Sequence, residues 1–354
     1  MTDQVRIGML GSGFIAGFYM AGLERVPAAR VVSSYARGET GRGAEFAERH
    51  GIGRTYTSIE ALCADPEVQL VVVALPNTLH VQAITAAVAN GKGVICTKPL
   101  GRNGIEAGAM VRLVRDAGVW AGYAENSVFA PDLMKVHEIV ISGAIGRVLA
   151  IRGREGHSGP HAPHFWDAEA AGGGALLDVG CHSIEDARWF FGKDQQIADV
   201  FAWGATLAHG DKTTGEDNAV MLMRLEDGRV ATIESSWSAK GGMEVRTEVW
   251  GTGGRIVQDN TMTSLKAFIE QPTGYVAEKP DADTGWVFPV ADEARVHGYD
   301  EQFRHFVECF AAGVEPRETF LDGYIVNRAV DAAYRSMRSG HWEPIDLDPR
   351  VMAA

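Results

Sequence analysis

The segment that decides the fold lies near the start of the chain, where residues 5–16 read VRIGMLGSGFIA. An apolar strand, Val5–Leu10, runs into a glycine-rich turn, and helical periodicity follows. In a GxGxxA turn the first glycine, here Gly11, permits a tight bend, and the second, Gly13, lets the backbone approach a pyrophosphate. The third small residue, Ala16, lets helix and strand pack closely. The alternative is that the turn merely connects a strand to a helix. Its place after a first strand favours a dinucleotide site at the helix N-terminus.

The residues that follow predict a parallel sheet. Strand-like runs such as Leu70–Ala74 and Gly93–Cys96 are apolar on both faces and alternate with helix-period stretches such as Thr78–Asn90 and Ile105–Ala117. This alternation is typical of βαβ units. We therefore expect an N-terminal Rossmann domain with a parallel sheet over residues 1–124.

The second half of the chain has a different pattern. Its strand candidates, among them Ile197–Thr206, Asn218–Leu225 and Val230–Trp237, are longer and of alternating or mixed polarity. Helical patterns return at Gly180–Phe191 and Leu321–Ser339. These features predict a C-terminal α+β domain, residues 125–354, with a large, open and mostly antiparallel sheet. The fold class is thus α/β, with a ligand cleft expected where the two domains meet.

Length and charge exclude several classes of protein. The chain has 354 residues, which at ~150 residues per domain gives two domains. Lys plus Arg number 33 and Asp plus Glu 46, for a net charge of −13. This charge disfavours binding to nucleic acid or to an anionic membrane surface. The longest apolar run, residues 70–75, is far shorter than the ~18 residues that a membrane span requires.

The cysteines and the N-terminus predict a compartment. Cys63, Cys96, Cys181 and Cys309 are scattered singly, without the spacing of a metal site or a disulfide scaffold. An acid, Asp3, stands where a signal peptide would carry basic residues. We expect a cytoplasmic protein with reduced thiols.

The end of the second predicted strand bears on cofactor choice. Val31–Tyr35 is followed by Ala36 and Arg37, where an NAD-selective site would usually offer an acid to the ribose 2′-hydroxyl. Arg37 could meet a 2′-phosphate, stack on adenine or be only a solvated side chain. The choice between NAD and NADP stays open.

Three further motifs complete a family pattern. Residues 74–80 read ALPNTLH, residues 91–100 read GKGVICTKPL, and residues 172–192 read GGGALLDVGCHSIEDARWFFG. Together with GSGFIA at 11–16 they make the chain resemble the Gfo/Idh/MocA family of nicotinamide-dependent sugar and cyclitol oxidoreductases over nearly its whole length.

The resemblance implies a site and an assembly. The family's Glu-Lys-Pro lysine corresponds to Lys98, and its Asp and His four residues apart correspond to Asp178 and His182. Thr97 stands where the family usually has Glu, so the tuning of Lys98 can differ. The open sheet of the second domain implies a homodimer or homotetramer. The expected cofactor contacts are Gly11, Gly13, Phe14, Ile15, Arg37, Pro76, Asn77, His80, Thr97, Lys98 and Asn126.

The four-residue spacing of Asp178 and His182 suits alcohol oxidation. A helix through both would place them on one face, about 5–6 Å apart at Cβ. His182 is the expected general base, because its pKa suits proton exchange near neutrality. Lys98 would hydrogen-bond the reacting oxygen and share the proton relay, while Asp178 orients the substrate or a neighbouring base. The alternative is structural, with Asp178 as a capping acid and His182 as a buried core residue.

Three histidines, His157, His161 and His164, are spaced four and three residues apart. Zinc is the alternative here, but glycine and prolines prevent a regular helix and no cysteine pair completes a site. We expect no metal and instead a loop at the substrate, with His157, His161 and Trp166 against a hydroxyl-rich ring. Glu125 is expected to reach the substrate from the other side.

These observations predict an NAD(P)-dependent dehydrogenase of a sugar, glycoside or cyclitol. Residues 278–290 look like a segment of family members that oxidise the C3 hydroxyl of glycosides. Two alternatives stay open: a regulatory protein that binds NAD(P) without turnover, and an enzyme acting on a non-sugar carbonyl or imine.

Overall fold

The computed structural model describes residues 4–38, 41–260, 265, 267–271, 284–287, 289–290 and 292–353. The chain forms two compact units. The first comprises Met1–Asn126, Gly298–Asn327 and Leu347–Ala354, and the second comprises Ser127–His297 and Arg328–Asp346.

The first unit is built on a six-stranded sheet in the order β3-β2-β1-β4-β5-β6, and its adjacent strands pair in parallel. This is the Rossmann arrangement that the alternating pattern predicts. Every residue of the strand Leu70–Val73 is buried, since helices cover both faces. The strands are β1 (Val5–Leu10), β2 (Ala29–Tyr35), β3 (Arg54–Tyr56), β4 (Leu70–Val73), β5 (Gly93–Thr97) and β6 (Ala121–Ala124).

The helices of this unit come from both ends of the chain. Those that alternate with the strands are α1 (Phe14–Leu23), α2 (Gly41–Arg49), α3 (Ile59–Cys63), α4 (His80–Ala89) and α5 (Gly104–Asp116). Two late helices, α10 (Tyr299–Ala312) and α12 (Pro349–Met352), also belong to this unit, and α11 (Phe320–Ser339) belongs to it as far as Asn327. Helix α10 packs on α1, and α12 packs on α5.

The second unit contains a seven-stranded sheet in the order β12-β11-β7-β10-β9-β8-β15. Strands β7 and β10 pair in parallel and the other neighbours are antiparallel, so the predicted mostly antiparallel sheet is confirmed. The strands are β7 (Val148–Gly156), β8 (Ile197–Ala205), β9 (Asn218–Leu225), β10 (Val230–Ser236), β11 (Glu244–Gly251), β12 (Arg255–Asp259) and β15 (Glu343–Pro344).

Helices pack on one face of this sheet, with α8 in contact with β7 and β10. A short hairpin of β13 (Ala267–Ile269) and β14 (Gly285–Val287) forms a separate two-stranded sheet. The helices of the unit are α6 (Pro131–Ile141), α7 (Ala168–Ala171), α8 (Cys181–Phe191) and α9 (Glu293–Val296). In the part of the chain that the structure describes, no helix is long and apolar enough to cross a membrane.

The structure corrects the expected helix around Asp178. Residues Leu176–Gly180 form a π-helical turn, and the α-helix begins only at Cys181. Asp178 and His182 therefore do not share one uninterrupted α-helix. Such π turns are rare and often occur at functional sites.

Candidate active site

The glycine-rich turn of the first unit has the geometry of a phosphate cradle. Gly11 has φ +128°, and a Cβ there would lie 2.2 Å from the backbone oxygen of Ala74. Only glycine therefore fits this bend. A Cβ built on Gly13, the N-cap of α1, would meet no atom within 4 Å. Ala16 is fully buried against the strand. Open space in front of Gly13 and a helix N-terminus capped by no side chain fit a pyrophosphate.

Other expected cofactor residues lie at the same edge of this sheet, because the carboxyl ends of parallel strands meet there. Arg37 is exposed just after β2. Asn77 begins a 3₁₀ turn after β4 and is 2% exposed, with Pro76 as its N-cap. Phe14 is 43% exposed and Ile15 half-buried in the first turn of α1.

Lys98 follows β5 at this edge and is half-buried. Next to it, the hydroxyl of Thr97 accepts a hydrogen bond of 2.7 Å from the Tyr19 hydroxyl. Burial raises the pKa of Tyr19 far above its usual value, so Tyr19 stays a neutral donor; the charges of Lys98 and Glu125 act on it in opposite directions. Tyr19 therefore contacts Thr97 directly and lies within the electrostatic influence of Lys98 and Glu125. Asn126, half-buried, follows Glu125.

His80 is fully buried at the start of α4. Its Nδ1 lies 3.0 Å from the backbone oxygen of Leu100, and its Nε2 lies 3.0 Å from that of Leu75. Burial lowers the pKa of His80, against the effect of these carbonyl groups. The ring therefore bridges the end of β4 and the segment after Lys98. Its expected cofactor contact stays a prediction.

Asp178 is the centre of a buried polar group in the second unit. Its Oδ2 accepts a 2.9 Å hydrogen bond from the Nε1 of Trp237. The Nε2 of His157 lies 3.8 Å from the same oxygen. The backbone N–H of Gly159 donates to His157 Nδ1 at 3.0 Å, which assigns the ring proton of a neutral His157 to Nε2, on the side of Asp178. Two ring N–H groups thus face one carboxylate.

The glycine tract before Asp178 is explained by close packing. A Cβ on Gly173 would lie 2.0 Å from the Tyr334 hydroxyl, and one on Gly174 would lie 2.1 Å from the backbone oxygen of Glu216. The Glu216 carboxylate accepts from Tyr334 at 3.0 Å and from the backbone N–H of Leu176 at 2.9 Å. Burial raises the pKa of Glu216 above its usual value. These contacts fix the position of the chain at the start of the π turn.

His182 lies in the first turn of α8 and is 7% exposed, while Asp178 is 6% exposed. Both side chains are thus largely buried, and they lie four residues apart across the end of the π turn.

The expected substrate loop forms a 3₁₀ turn at Pro163–Trp166. The half-buried ring of Trp166 packs edge-on against Trp237 and His209, with centroid distances of 5.5 Å and 5.0 Å. The Nζ of Lys212 lies 5.0 Å from the centroid of the same ring. Trp166 thereby joins the group around Asp178 through Trp237. His161, in the same loop, is exposed.

Sequence patterns did not single out Tyr19 and Trp237 as functional residues. Tyr19 lies on the buried face of α1 and Trp237 follows the end of β10, so each has the pattern of an ordinary core aromatic. Their polar atoms acquire partners only across the fold. No local signal distinguishes them.

Comparisons with known proteins agree over both units. The family of NAD-binding Rossmann-fold oxidoreductases matches residues 5–124, and the Gfo/Idh/MocA C-terminal domain matches residues 133–257. Levoglucosan dehydrogenase of Pseudarthrobacter phenanthrenivorans is 27% identical over 99% of this chain and 100% of its own. The 1,5-anhydro-D-fructose reductase of Ensifer adhaerens is 32% identical over 77% of this chain and 79% of its own.

Among solved structures, the crystal structure of GenD2 from gentamicin A biosynthesis in complex with NAD superposes with a TM-score of 0.91. It is 30% identical to this chain, and 98% of each chain is covered. The first unit is thus an NAD-binding Rossmann domain, and the chain belongs to the Gfo/Idh/MocA family of oxidoreductases.

Proposed function

We propose that this protein oxidises a secondary hydroxyl group of a sugar, glycoside or cyclitol, or reduces the corresponding ketone, with NAD(P). The observation that carries the proposal is the placement of Lys98. Lys98 is half-buried and follows β5 at the sheet edge where the Gly11–Gly13 turn offers an open phosphate cradle. A cation at the cofactor edge suits an oxygen on which negative charge develops.

The chemistry is divided among three side chains in this proposal. Bound NAD(P) supplies the hydride acceptor or donor. Lys98 donates a hydrogen bond to the reacting oxygen, and His182 takes or returns the hydroxyl proton. Asp178, whose Oδ2 accepts a hydrogen bond from Trp237 and lies 3.8 Å from His157 Nε2, orients the substrate or a neighbouring base.

The proposed substrate class is supported by the relatives of this chain and by the aromatic ring of Trp166 in the second unit. Trp166 presents a half-buried ring beside His209 and Lys212, a surface suited to the apolar face and polar edge of a hydroxylated ring. Oxidation at C3 of a glycoside is the narrower proposal. It depends on residues 278–290, of which 278–283 and 288 lie outside the described residues.

Two further properties belong to the proposal. The four cysteines are free and buried, which suits a reducing cytoplasm. The face of the seven-stranded sheet that carries Phe201, Trp203 and Val220 suits association with a second copy of the chain, because Trp203 and Val220 are 50% and 38% exposed.

One experiment tests the activity. One portion of the purified protein is denatured, and any released nucleotide is identified by mass. A native portion is supplied with NAD or NADP and a panel of levoglucosan, myo-inositol and glycosides, and in parallel with NADH or NADPH and acyclic carbonyl compounds or imines. We expect reduced nicotinamide to accumulate with at least one ring polyol. Turnover only with acyclic carbonyl compounds or imines would overturn the sugar assignment. Tight nucleotide binding without any turnover would instead support a regulatory protein.

A further inference from the structure

The segment after Lys98 is held by side chains rather than by secondary structure. Leu100 and Gly101 lie between β5 and α5, and both are buried. Buried backbone polar groups need partners. The oxygen of Leu100 faces His80 Nδ1 at 3.0 Å. The backbone N–H and oxygen of Gly101 require hydrogen-bond partners from elsewhere in the fold.

Asn327 on α11 supplies both partners of Gly101. Its Nδ2 donates to the Gly101 oxygen at 2.8 Å, and its Oδ1 accepts from the Gly101 N–H at 3.1 Å. Asn327 is 1% exposed. One buried amide thus pairs with both polar groups of a residue three positions after Lys98. A single orientation of the amide satisfies both bonds, which makes the arrangement specific for Asn.

The helix is shaped for this contact. A Cβ on Gly323, one turn before Asn327 on the same face of α11, would lie 2.8 Å from the Cβ of Leu100. Glycine therefore lets the helix backbone approach the segment. A Cβ on Gly101 would lie 2.9 Å from the backbone nitrogen of Ala107, so this residue is confined from the other side as well. The segment after Lys98 is confined by α11 and α5.

We propose that Asn327 is a positioning residue for Lys98: it holds Gly101 and thereby fixes where the lysine ammonium points at the cofactor edge. The inference rests on the proposed role of Lys98 in catalysis. It gives a function to a buried amide 226 residues away from Gly101 in the sequence. Such positioning matters because small misplacements of a catalytic group can cost on the order of 10²-fold in rate.

The test compares Asn327→Ala with a matched control, Asn90→Ala. Asn90 also donates from its Nδ2 to a backbone oxygen, that of Ala86 at 2.8 Å, but at the far end of α4 from His80. The first readout needs no substrate. Each protein is treated with an acetylating ester, and acetylation of Lys98 is measured against Lys92 by peptide mass spectrometry.

We expect the Lys98 to Lys92 acetylation ratio to rise about threefold or more in Asn327→Ala, because the released segment opens more often. The ratio should not change in Asn90→Ala. An unchanged ratio in a folded Asn327→Ala protein overturns the proposal. If the alanine variant fails to fold, Asn327→Asp carries the same test, because it retains the acceptor for the Gly101 N–H and loses the donor.

The second readout is a double-mutant cycle with the ring polyol that the wild-type protein turns over. Asn327→Ala alone should lower kcat by roughly 10-fold to 10²-fold with an unchanged Kd for the nucleotide. In a protein that already carries Lys98→Ala, Asn327→Ala should lower kcat by less than about a further twofold, because Asn327 acts through the lysine. If kcat of the double variant falls by the product of the two single losses, the proposal is overturned. If the wild type turns over no polyol, the proposed function fails and the acetylation ratio alone decides the role of Asn327.

Discussion

At the scale of single residues, Lys98 and His182 carry the proposed proton chemistry. We expect Lys98→Ala and His182→Ala each to lower kcat by on the order of 10²-fold or more, the range that acid–base groups supply. Nucleotide affinity, measured by fluorescence titration, should largely survive. Lys135→Ala is the control, because Lys135 forms an exposed ion pair with Glu138. Near-normal turnover in either variant would remove that residue from the mechanism.

Trp237 is the residue-scale support of Asp178. Trp237→Phe keeps an aromatic ring in a fully buried position but removes the Nε1 donor to the Asp178 carboxylate. A buried carboxylate that loses a donor costs about 1–3 kcal/mol, so both the free energy of unfolding and kcat should fall. Urea unfolding and steady-state kinetics measure the two effects.

Trp189→Phe provides the comparison for this prediction, since the Trp189 ring stacks on His137 with a centroid distance of 4.0 Å in the same unit. It should leave kcat within about twofold, because phenylalanine can also stack. Equal losses in both variants would show that Trp237 acts only as a packed aromatic residue.

At the scale of elements, the turn between β1 and α1 can be tested by filling its open space. Gly13→Val places a branched side chain where no protein atom lies within 4 Å. We expect the fold to persist and nucleotide binding to be lost, because the pyrophosphate would meet the new side chain. Gly53→Val, also in open space, is the control. Circular dichroism and cofactor titration report the two outcomes, and unchanged affinity would place the cofactor elsewhere.

The loop before β9 is an element that one carboxylate organises. Asp217 is fully buried and accepts from the backbone N–H groups of Leu207, Ala208 and His209 at 2.8, 2.7 and 2.7 Å. Burial acts to raise the pKa of Asp217, but these donors outweigh it and hold the pKa below its usual value. The loop also carries His209, which packs against Trp166.

An Asp side chain in an unfolded chain has a pKa of about 4. Because the pKa of Asp217 is lower in the folded protein, its carboxylate stabilises the fold fully above about pH 4. This stabilisation is lost as the pH falls through the pKa of the folded state. Asp217→Asn should therefore lower the free energy of unfolding by about 1–3 kcal/mol at pH 7. The difference from wild type should shrink below about pH 4. Urea unfolding at both pH values checks the sign, and a constant difference would contradict it.

At the scale of the whole molecule, we propose that assembly uses the sheet face of the second unit on which Trp203 and Val220 are exposed. One part of this face carries a network in which Arg152 and Arg154 bind Glu234. Further along the same register lie the exposed Val220 and Trp203. Charged and apolar areas on one face suit a second copy of the chain.

We expect the double variant Trp203→Asp with Val220→Asp to shift the protein to a smaller species in sedimentation velocity, because two buried charges would face the partner. Val314→Asp, at a 51% exposed position of the first unit, is the control. Identical sedimentation of wild type and double variant would place the interface elsewhere.

Local pattern alone determined the parallel sheet, the phosphate turn and the mostly antiparallel second sheet. Strand alternation and glycine spacing are properties of neighbouring residues, so they can be recognised without a structure. Lys98, Asp178 and His182 are candidates for a different reason: they lie in motifs that are continuous in sequence, and the resemblance to the Gfo/Idh/MocA family assigns these motifs a role. Strand β3, with three residues, and β15, with two, were too short to give such a pattern.

Tertiary structure alone decided what holds the candidate residues. Trp237 hydrogen-bonds Asp178, 59 positions away in the sequence, and Asn327 hydrogen-bonds Gly101, 226 positions away. Gly298–Asn327 belongs to the first unit although it follows strands β7 to β12 of the second sheet in the sequence. The π turn at Asp178 also depends on distant residues, Glu216 and Tyr334. A buried polar group takes whichever partner the fold brings near it, and that choice has no periodicity along the chain.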